Sequence, residues 1–176
     1  WVGEGRAEGR ALVKVIVPGT AAPPFFGFQP VGSRLFFVAN DMVNGAELWV
    51  SDGTDAGTVR LDIVPGAGSA FPRELVSYLG EVFFVTSDAD TTDSIWRSDG
   101  TPAGTRQVVQ IAPSGEAADI RFLTPVKEKL FFVAEDPAGG AEPWRSDGTS
   151  AGTARAADIQ PGPGGSFPSD LAGAGR

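Results

Sequence analysis

Glu47-Leu48-Trp49-Val50-Ser51-Asp52-Gly53-Thr54-Asp55-Ala56-Gly57-Thr58 is the stretch on which the reading of this chain turns. Its core, Trp-x-Ser-Asp-Gly-Thr-x-x-Gly-Thr, returns from Trp96 to Thr105 and from Trp144 to Thr153. A worn copy opens at Trp1; it keeps Gly5 and Gly9 but has Gly3-Glu4 for Ser-Asp and Arg10 for the closing threonine. The tryptophans are spaced by 48, 47 and 48 residues. A period in the forties means one supersecondary unit used repeatedly, each copy burying its apolar face against the next.

Working outward, an apolar run precedes each full copy: Leu35-Phe36-Phe37-Val38, Val82-Phe83-Phe84-Val85 and Leu130-Phe131-Phe132-Val133. A second run follows it and is closed by Pro65, Pro113 or Pro161. Residues 74–78, 81–87, 94–98 and 105–111 read as four short strands, with Leu79-Gly80 and Asp99 to Gly104 as turns. Glycine and proline recur too often for helix to be the main element. Four antiparallel strands per repeat predict an all-β, propeller-like array of blades, here a partial ring. A stacked β-solenoid is the structural alternative. One repeat domain over residues 1–176 is expected, with blades at 28–64, 74–111 and 122–159. An outer-strand remnant is expected within 1–19, its strand running from Ala11 to Val17, and the next repeat begins at 166–176. Opening inside a repeat and without methionine, the chain reads as a segment of a longer array.

The corner residues have plain structural chemistry. Asp52, Asp99 and Asp147 each precede a glycine (Gly53, Gly100, Gly148), and such a carboxylate accepts hydrogen bonds from the amides that follow it. Thr54, Thr101 and Thr149 lie inside the turn; Gly57, Gly104 and Gly152 close it; Thr58, Thr105 and Thr153 open the outer strand. Trp49, Trp96 and Trp144 share one strand position, and packing between blades with a bonded indole N–H is expected there. Asp41, Asp88 and Asp136 follow the Phe-Phe strands at equivalent places, on the rim that also carries the Pro65–Pro72 and Pro161–Pro168 crossovers. That rim is expected to be acidic and to favour a cationic partner. The three aspartates are candidate calcium ligands through oxygen, although no Asp-x-Asp-x-Asp-Gly loop is present and no other cofactor is indicated.

A net charge of −8 and an isoelectric point near 4.5 speak against nucleic acid as a partner. No apolar run is long enough to predict membrane insertion. The chain contains neither histidine nor cysteine, which removes Ser-His-Asp, Cys-His and zinc chemistry built on those residues. A carboxylate pair of the glycosidase kind is left, yet these carboxylates repeat with the fold whereas a catalytic pair should be unique. No catalytic residue is assigned and no enzyme is expected.

The phrases Glu47 to Thr58 and Asp62-Ile63-Val64-Pro65-Gly66 resemble the bacterial ELWxxDGT repeat family, whose hyalin-like members are generally secreted or surface-associated. The likeness covers nearly the whole chain. Ser94-Ile95 replaces Glu-Leu in the second copy, Pro143 replaces leucine in the third, and Gln110 stands where Asp62 and Asp158 do. The resemblance implies an extracellular or cell-surface location. It fits a structural or adhesive module for a protein or glycan. A second reading is a self-assembling scaffold whose segments complete one another's ring.

Overall fold

The protein is described by a computed structural model covering residues 2–3, 10–18, 25–87, 92–113, 116 and 118–171. It comprises two compact units, Trp1–Phe71 and Pro72–Arg176. The first holds a two-residue ladder of β1 (Val2–Gly3) with β2 (Arg10–Ala11), and one four-stranded sheet. That sheet runs in sequence order through β3 (Phe25–Val31), β4 (Arg34–Asn40), β5 (Ala46–Ser51) and β6 (Val59–Leu61). The second unit holds two sheets of the same kind. One is β7 (Arg73–Tyr78), β8 (Glu81–Ser87), β9 (Asp93–Ser98) and β10 (Arg106–Gln110). The other is β11 (Arg121–Val126), β12 (Lys129–Asp136), β13 (Gly140–Ser146) and β14 (Ala154–Arg155). Every pairing is antiparallel, so each sheet is a meander.

The register equates the three blades residue by residue. Phe37 faces Trp49, Phe84 faces Trp96 and Phe132 faces Trp144. A bulge interrupts each first strand at one place, where Gly27, Glu74 and Phe122 take φ of 65°, 56° and 60°. The extra residue bends the strand and strengthens its twist. Placing left-handed Glu and Phe where one blade has Gly costs backbone energy, which shows that the bend is imposed by packing.

In the second unit the two blades share one core. Tyr78, Phe83, Val85 and Ile95 of the second blade pack with Ile120, Leu123, Leu130, Phe132 and Ala134 of the third. The Tyr78 hydroxyl donates to the Glu128 carbonyl at 2.7 Å, tying the two hairpins at their turns. The alternation of side chains along the strands puts these residues on one face of each of the two sheets, which is how the second and third blades stack.

The expected strand at Ala11–Val17 needs correcting. Among the described residues pairing ends at Ala11, and Leu12–Val17 joins no ladder. It runs as a strap over the first blade, with Ile16 resting on Phe37, Ala39 and Trp49. Lys14 Nζ donates to the Asp55 carbonyl at 3.0 Å. An outer strand needs a third strand to pair with, and among the described residues the remnant of one, β1, offers only Val2–Gly3.

Candidate functional site

The three corners are one structure written three times. Asp52 Oδ1 accepts from the Thr54 amide at 2.9 Å and from its hydroxyl at 2.7 Å. The Asp99–Thr101 distances are 2.8 and 2.7 Å, and those of Asp147–Thr149 are 3.0 and 2.7 Å. The Thr54 hydroxyl accepts from the Gly57 amide at 2.9 Å, while Thr58 Oγ1 donates to the Thr54 carbonyl at 2.6 Å. Having spent its only proton there, Thr58 must accept from Ser51 at 2.7 Å, and Ser51 Oγ in turn accepts from the Gly53 amide. Ser98 with Thr105 and Ser146 with Thr153 repeat the same circuit. Each polar atom of the circuit thus has a partner inside the turn.

Two kinds of glycine serve that corner. Gly53, Gly100 and Gly148 sit at φ of 92°, 89° and 90°, where a side chain is strained. Gly57, Gly104 and Gly152 are there for room: a Cβ on any of them would stand 2.0–2.1 Å from the aspartate's Oδ1. The Thr54 and Thr149 hydroxyls, followed by their amides, hold the Asp52 and Asp147 carboxyls below the usual range. The serines are legible in the sequence as repeated letters, but their part in the circuit is visible only in the folded turn.

The tryptophans are not equivalent. Trp49 is buried, and its indole N–H donates to the Ala39 carbonyl of its own sheet at 3.2 Å. Trp96 and Trp144 are half-buried, and the Trp144 Nε1 is enclosed without a partner. The Arg155 guanidinium lies 6.0 Å from the Trp144 ring, a cation–π arrangement.

On the opposite rim, the aspartates after the second strands close their own loops. Asp41 accepts from the amides of Val43 and Asn44 at 3.0 and 2.6 Å, and from the Asn44 side chain at 2.7 Å. Asp136 accepts from the amides of Ala138 and Gly139 and from Arg155 at 2.5 Å. Burial pushes both carboxyls up, but the hydrogen bonds and the nearby Arg60 or Arg155 outweigh it and leave them low. Arg60 and Arg155 stand two residues after Thr58 and Thr153, a regularity the sequence offers; Gln107 takes that place in the second blade. Asp88, the third calcium candidate, lies outside the described residues, as does Trp1. Among the described residues no three acidic side chains converge as a metal-ligand group.

The crossovers are held by buried carboxylates that in the sequence read only as rim acidity. Glu47 is fully buried and accepts from the amides of Ile63, Val64 and Ala70 at 3.0, 3.4 and 3.2 Å. Glu142 accepts from the amides of Ile159 and Gln160 at 3.2 and 3.1 Å, and from the Ser166 hydroxyl at 2.7 Å. Where Ser94 replaces this glutamate, the neighbouring Asp93 serves as the anchor, binding Arg73, Ser87 and the Ile120 amide. Beside these anchors Phe71 and Phe167 project into solvent at φ of 44° and 47°. Their amides are fixed to the Ala46 and Ala141 carbonyls at 3.2 and 3.1 Å. Met42 and Val43 are exposed on the first unit's rim, and Ile159 on the second's.

No protein-family model matches the chain, and no curated protein sequence does. Among solved structures, TolB from Acinetobacter baumannii is similar over 76% of this chain and 32% of its own, with 14% identity and a TM-score of 0.50. The acylaminoacyl peptidase of Pyrococcus horikoshii is similar over 76% of this chain and 19% of its own, at 14% identity and a TM-score of 0.48. The chain therefore spans less than a third of either protein. Together with the three four-stranded sheets, the first likeness shows a β-propeller-like array of blades.

Proposed function

We propose that this chain is a non-enzymatic repeat module that recognises a protein or glycan through the crossover loops of its blades. The observation that supports it is the pair of exposed phenylalanines, Phe71 and Phe167. Each is held in a left-handed backbone conformation by bonds to its own blade, and strain maintained at an exposed aromatic is the kind of outlier that marks a contact surface. The corners, by contrast, have spent their polar atoms on themselves. A rigid scaffold bearing variable loops is where recognition is commonly placed.

In each unit the contact favoured is apolar and aromatic, at Phe71 in the first and Phe167 in the second. The carboxylates of Asp41, Asp136, Glu47 and Glu142 are engaged within their own repeats. Carriage outside the cell or on a bacterial surface follows the resemblance to the ELWxxDGT repeats, and calcium is best treated as a variable of the assay. Screening against a glycan array and immobilised extracellular proteins, with and without calcium, tests the reading. Phe71→Ala combined with Phe167→Ala should weaken any captured ligand by at least about tenfold while leaving the melting temperature in place. Binding undiminished in that double variant removes this rim from the function.

A further inference from the structure

We propose that Asn44 is a self-converting residue: the backbone nitrogen of Gly45 attacks its side chain, and the loop after β4 passes to isoaspartate. Four bonds of the chain join an asparagine or aspartate to an unhindered glycine amide, the arrangement this chemistry needs. They are Asn44-Gly45 and the corner pairs Asp52-Gly53, Asp99-Gly100 and Asp147-Gly148. The corner pairs are held. The Gly53, Gly100 and Gly148 amides donate to Ser51, Ser98 and Ser146 at 3.0 Å, and each aspartate Oδ1 is engaged by the threonine two residues on. A nucleophile tied into such a bond must break it before it can attack. The Gly45 amide donates no hydrogen bond among the described residues. Asn44 and Gly45 are only half-buried, so water and hydroxide reach them.

The electrophile is positioned as well. Asp41 holds the Asn44 side chain by its leaving nitrogen, Nδ2 to Oδ2 at 2.7 Å, and the Asn44 backbone amide by Oδ1 at 2.6 Å. The Gly45 nitrogen gives its proton to hydroxide and bonds to Asn44 Cγ, closing a succinimide. The Cγ–Nδ2 bond breaks, and the nitrogen takes a proton from water and leaves as ammonia. A neighbouring carboxylate favours that protonation. Water then opens the ring at Cγ, giving aspartate, or at the backbone carbonyl carbon, giving isoaspartate, in which the chain runs through the side-chain carbon. Asparagine and one water become the acid and ammonia.

The product does not fit the loop. Its carboxylate replaces an N–H donor that lay 2.7 Å from Asp41, while Arg60 stands 3.9 Å from Asp41 and is bonded to Asp62 at 2.6 Å. Isoaspartate also lengthens the backbone by one carbon just before Gly45, where space is lacking. A Cβ on Gly45 would stand 1.9 Å from the Gly68 carbonyl oxygen and 2.5 Å from Ser69 Oγ. The crossover is pinned at this point: the Ala46 amide donates to Ser69 Oγ at 2.9 Å, and the Ala70 and Phe71 amides donate to the Ala46 carbonyl at 3.0 and 3.2 Å. Conversion therefore loosens the crossover that presents Phe71. In the third blade Gly139 stands in place of Asn44, its amide likewise bonded to the loop aspartate, and the reaction has no substrate there.

The chemical step is independent of the proposed recognition, and no ligand is needed to test it. Purified chain is held for weeks at mildly alkaline pH and body temperature, folded and in parallel in concentrated urea. Digestion, mass spectrometry and isoaspartate-specific carboxyl methylation read the result. The peptide carrying Asn44 should exchange amide for acid and take up methyl groups in the folded chain within about threefold of its rate in urea, whereas the three Asp-Gly corners should isomerise at least about tenfold more slowly folded than unfolded. Asn44→Gly copies the third blade's loop, and circular dichroism checks that it folds. Its peptide should carry no methylation; methylation persisting there overturns the assignment to Asn44. In converted protein, separated by ion exchange, the Ala46, Ala70 and Phe71 amides should exchange hydrogen at least about tenfold faster than in Asn44→Gly aged alongside. Asn44 protected by folding as strongly as the corners overturns the conversion, and unchanged exchange at those three amides overturns its effect on the crossover.

Discussion

The Asp-Gly-Thr corners and the crossover rim use the same small set of polar residues, but only the corners use them identically. Three corners superimpose hydrogen bond for hydrogen bond, from Ser51, Ser98 and Ser146 through to Thr58, Thr105 and Thr153. On the rim, the crossover is anchored in three different ways: Glu47 through three amides, Asp93 through an amide and Arg73, Glu142 through two amides and a hydroxyl. A turn whose Ser, Asp and Thr side chains are all bonded within it fixes those letters. An anchor that only needs some carboxylate near a crossover can drift, and surface drift is what allows one scaffold to carry different contacts.

The largest test of that contrast is at Asp93, whose side chain is nearly enclosed and ion-paired with Arg73. Asp93→Ala takes the carboxylate from the partly exposed Arg73, which keeps Ser87, and leaves the buried Ile120 amide without its acceptor, so urea denaturation should show a loss of about 2–4 kcal/mol. Adding Ser94→Glu to that variant rebuilds the anchor used by the other two blades and should restore part of the loss. If the double variant is no better than the single one, the anchors are not interchangeable and the rim is less free than proposed.

The corners should fail to a smaller and uniform extent. Alanine at Gly57, Gly104 or Gly152 drives a Cβ into the aspartate carboxylate. About 1–3 kcal/mol is expected for each as a local overpacking, and the same value at all three places. Three unequal losses would show that the corners answer to their surroundings as well as to themselves.

What is readable in the sequence follows the same division. Short-range chemistry is legible: the corner's Asp, Gly and Thr are fixed by neighbours within seven residues, and the apolar runs mark the second strands directly. What escapes depends on residues far apart in sequence. Glu47 looks like rim acidity until Ile63 and Ala70 are brought to it, and Phe71 gains meaning only when its amide is pinned to Ala46. The run at Leu12–Val17 has the composition of a strand, but a strand is defined by its partner, and composition cannot supply one. Equal letters at Trp49 and Trp144 likewise conceal unequal burial, because what covers a blade face lies in another repeat.

The smallest expected effect distinguishes two anchors that look alike. Burial raises the Glu47 carboxyl above its usual 4.5, more than the Ile63, Val64 and Ala70 amides lower it. Burial also acts on Glu142, but there the Ser166 hydroxyl and the Gln160 and Ile159 amides prevail and the carboxyl falls below 4.5. Two things differ: Glu47 is the more deeply desolvated and has Asp62 nearby, and its blade offers only amides at 3.0 Å or more, whereas Glu142 also accepts a 2.7 Å bond from a hydroxyl. By linkage the signs are opposite. Glu142, depressed in the folded state, contributes stability that is present above its unfolded value and lost as the pH falls through the folded one. Glu47, raised, contributes stability that is present below its unfolded value and lost as the pH rises through the folded one. Urea midpoints from about pH 3 to pH 7 should therefore respond in opposite directions: Glu142→Gln flattens the acid limb, and Glu47→Gln flattens the decline just above the usual glutamate range. Ser166→Ala is the sharper experiment. Deprived of its hydroxyl, Glu142 should titrate closer to the ordinary glutamate value, and an acid limb left untouched by that substitution would mean the hydroxyl is not what depresses it.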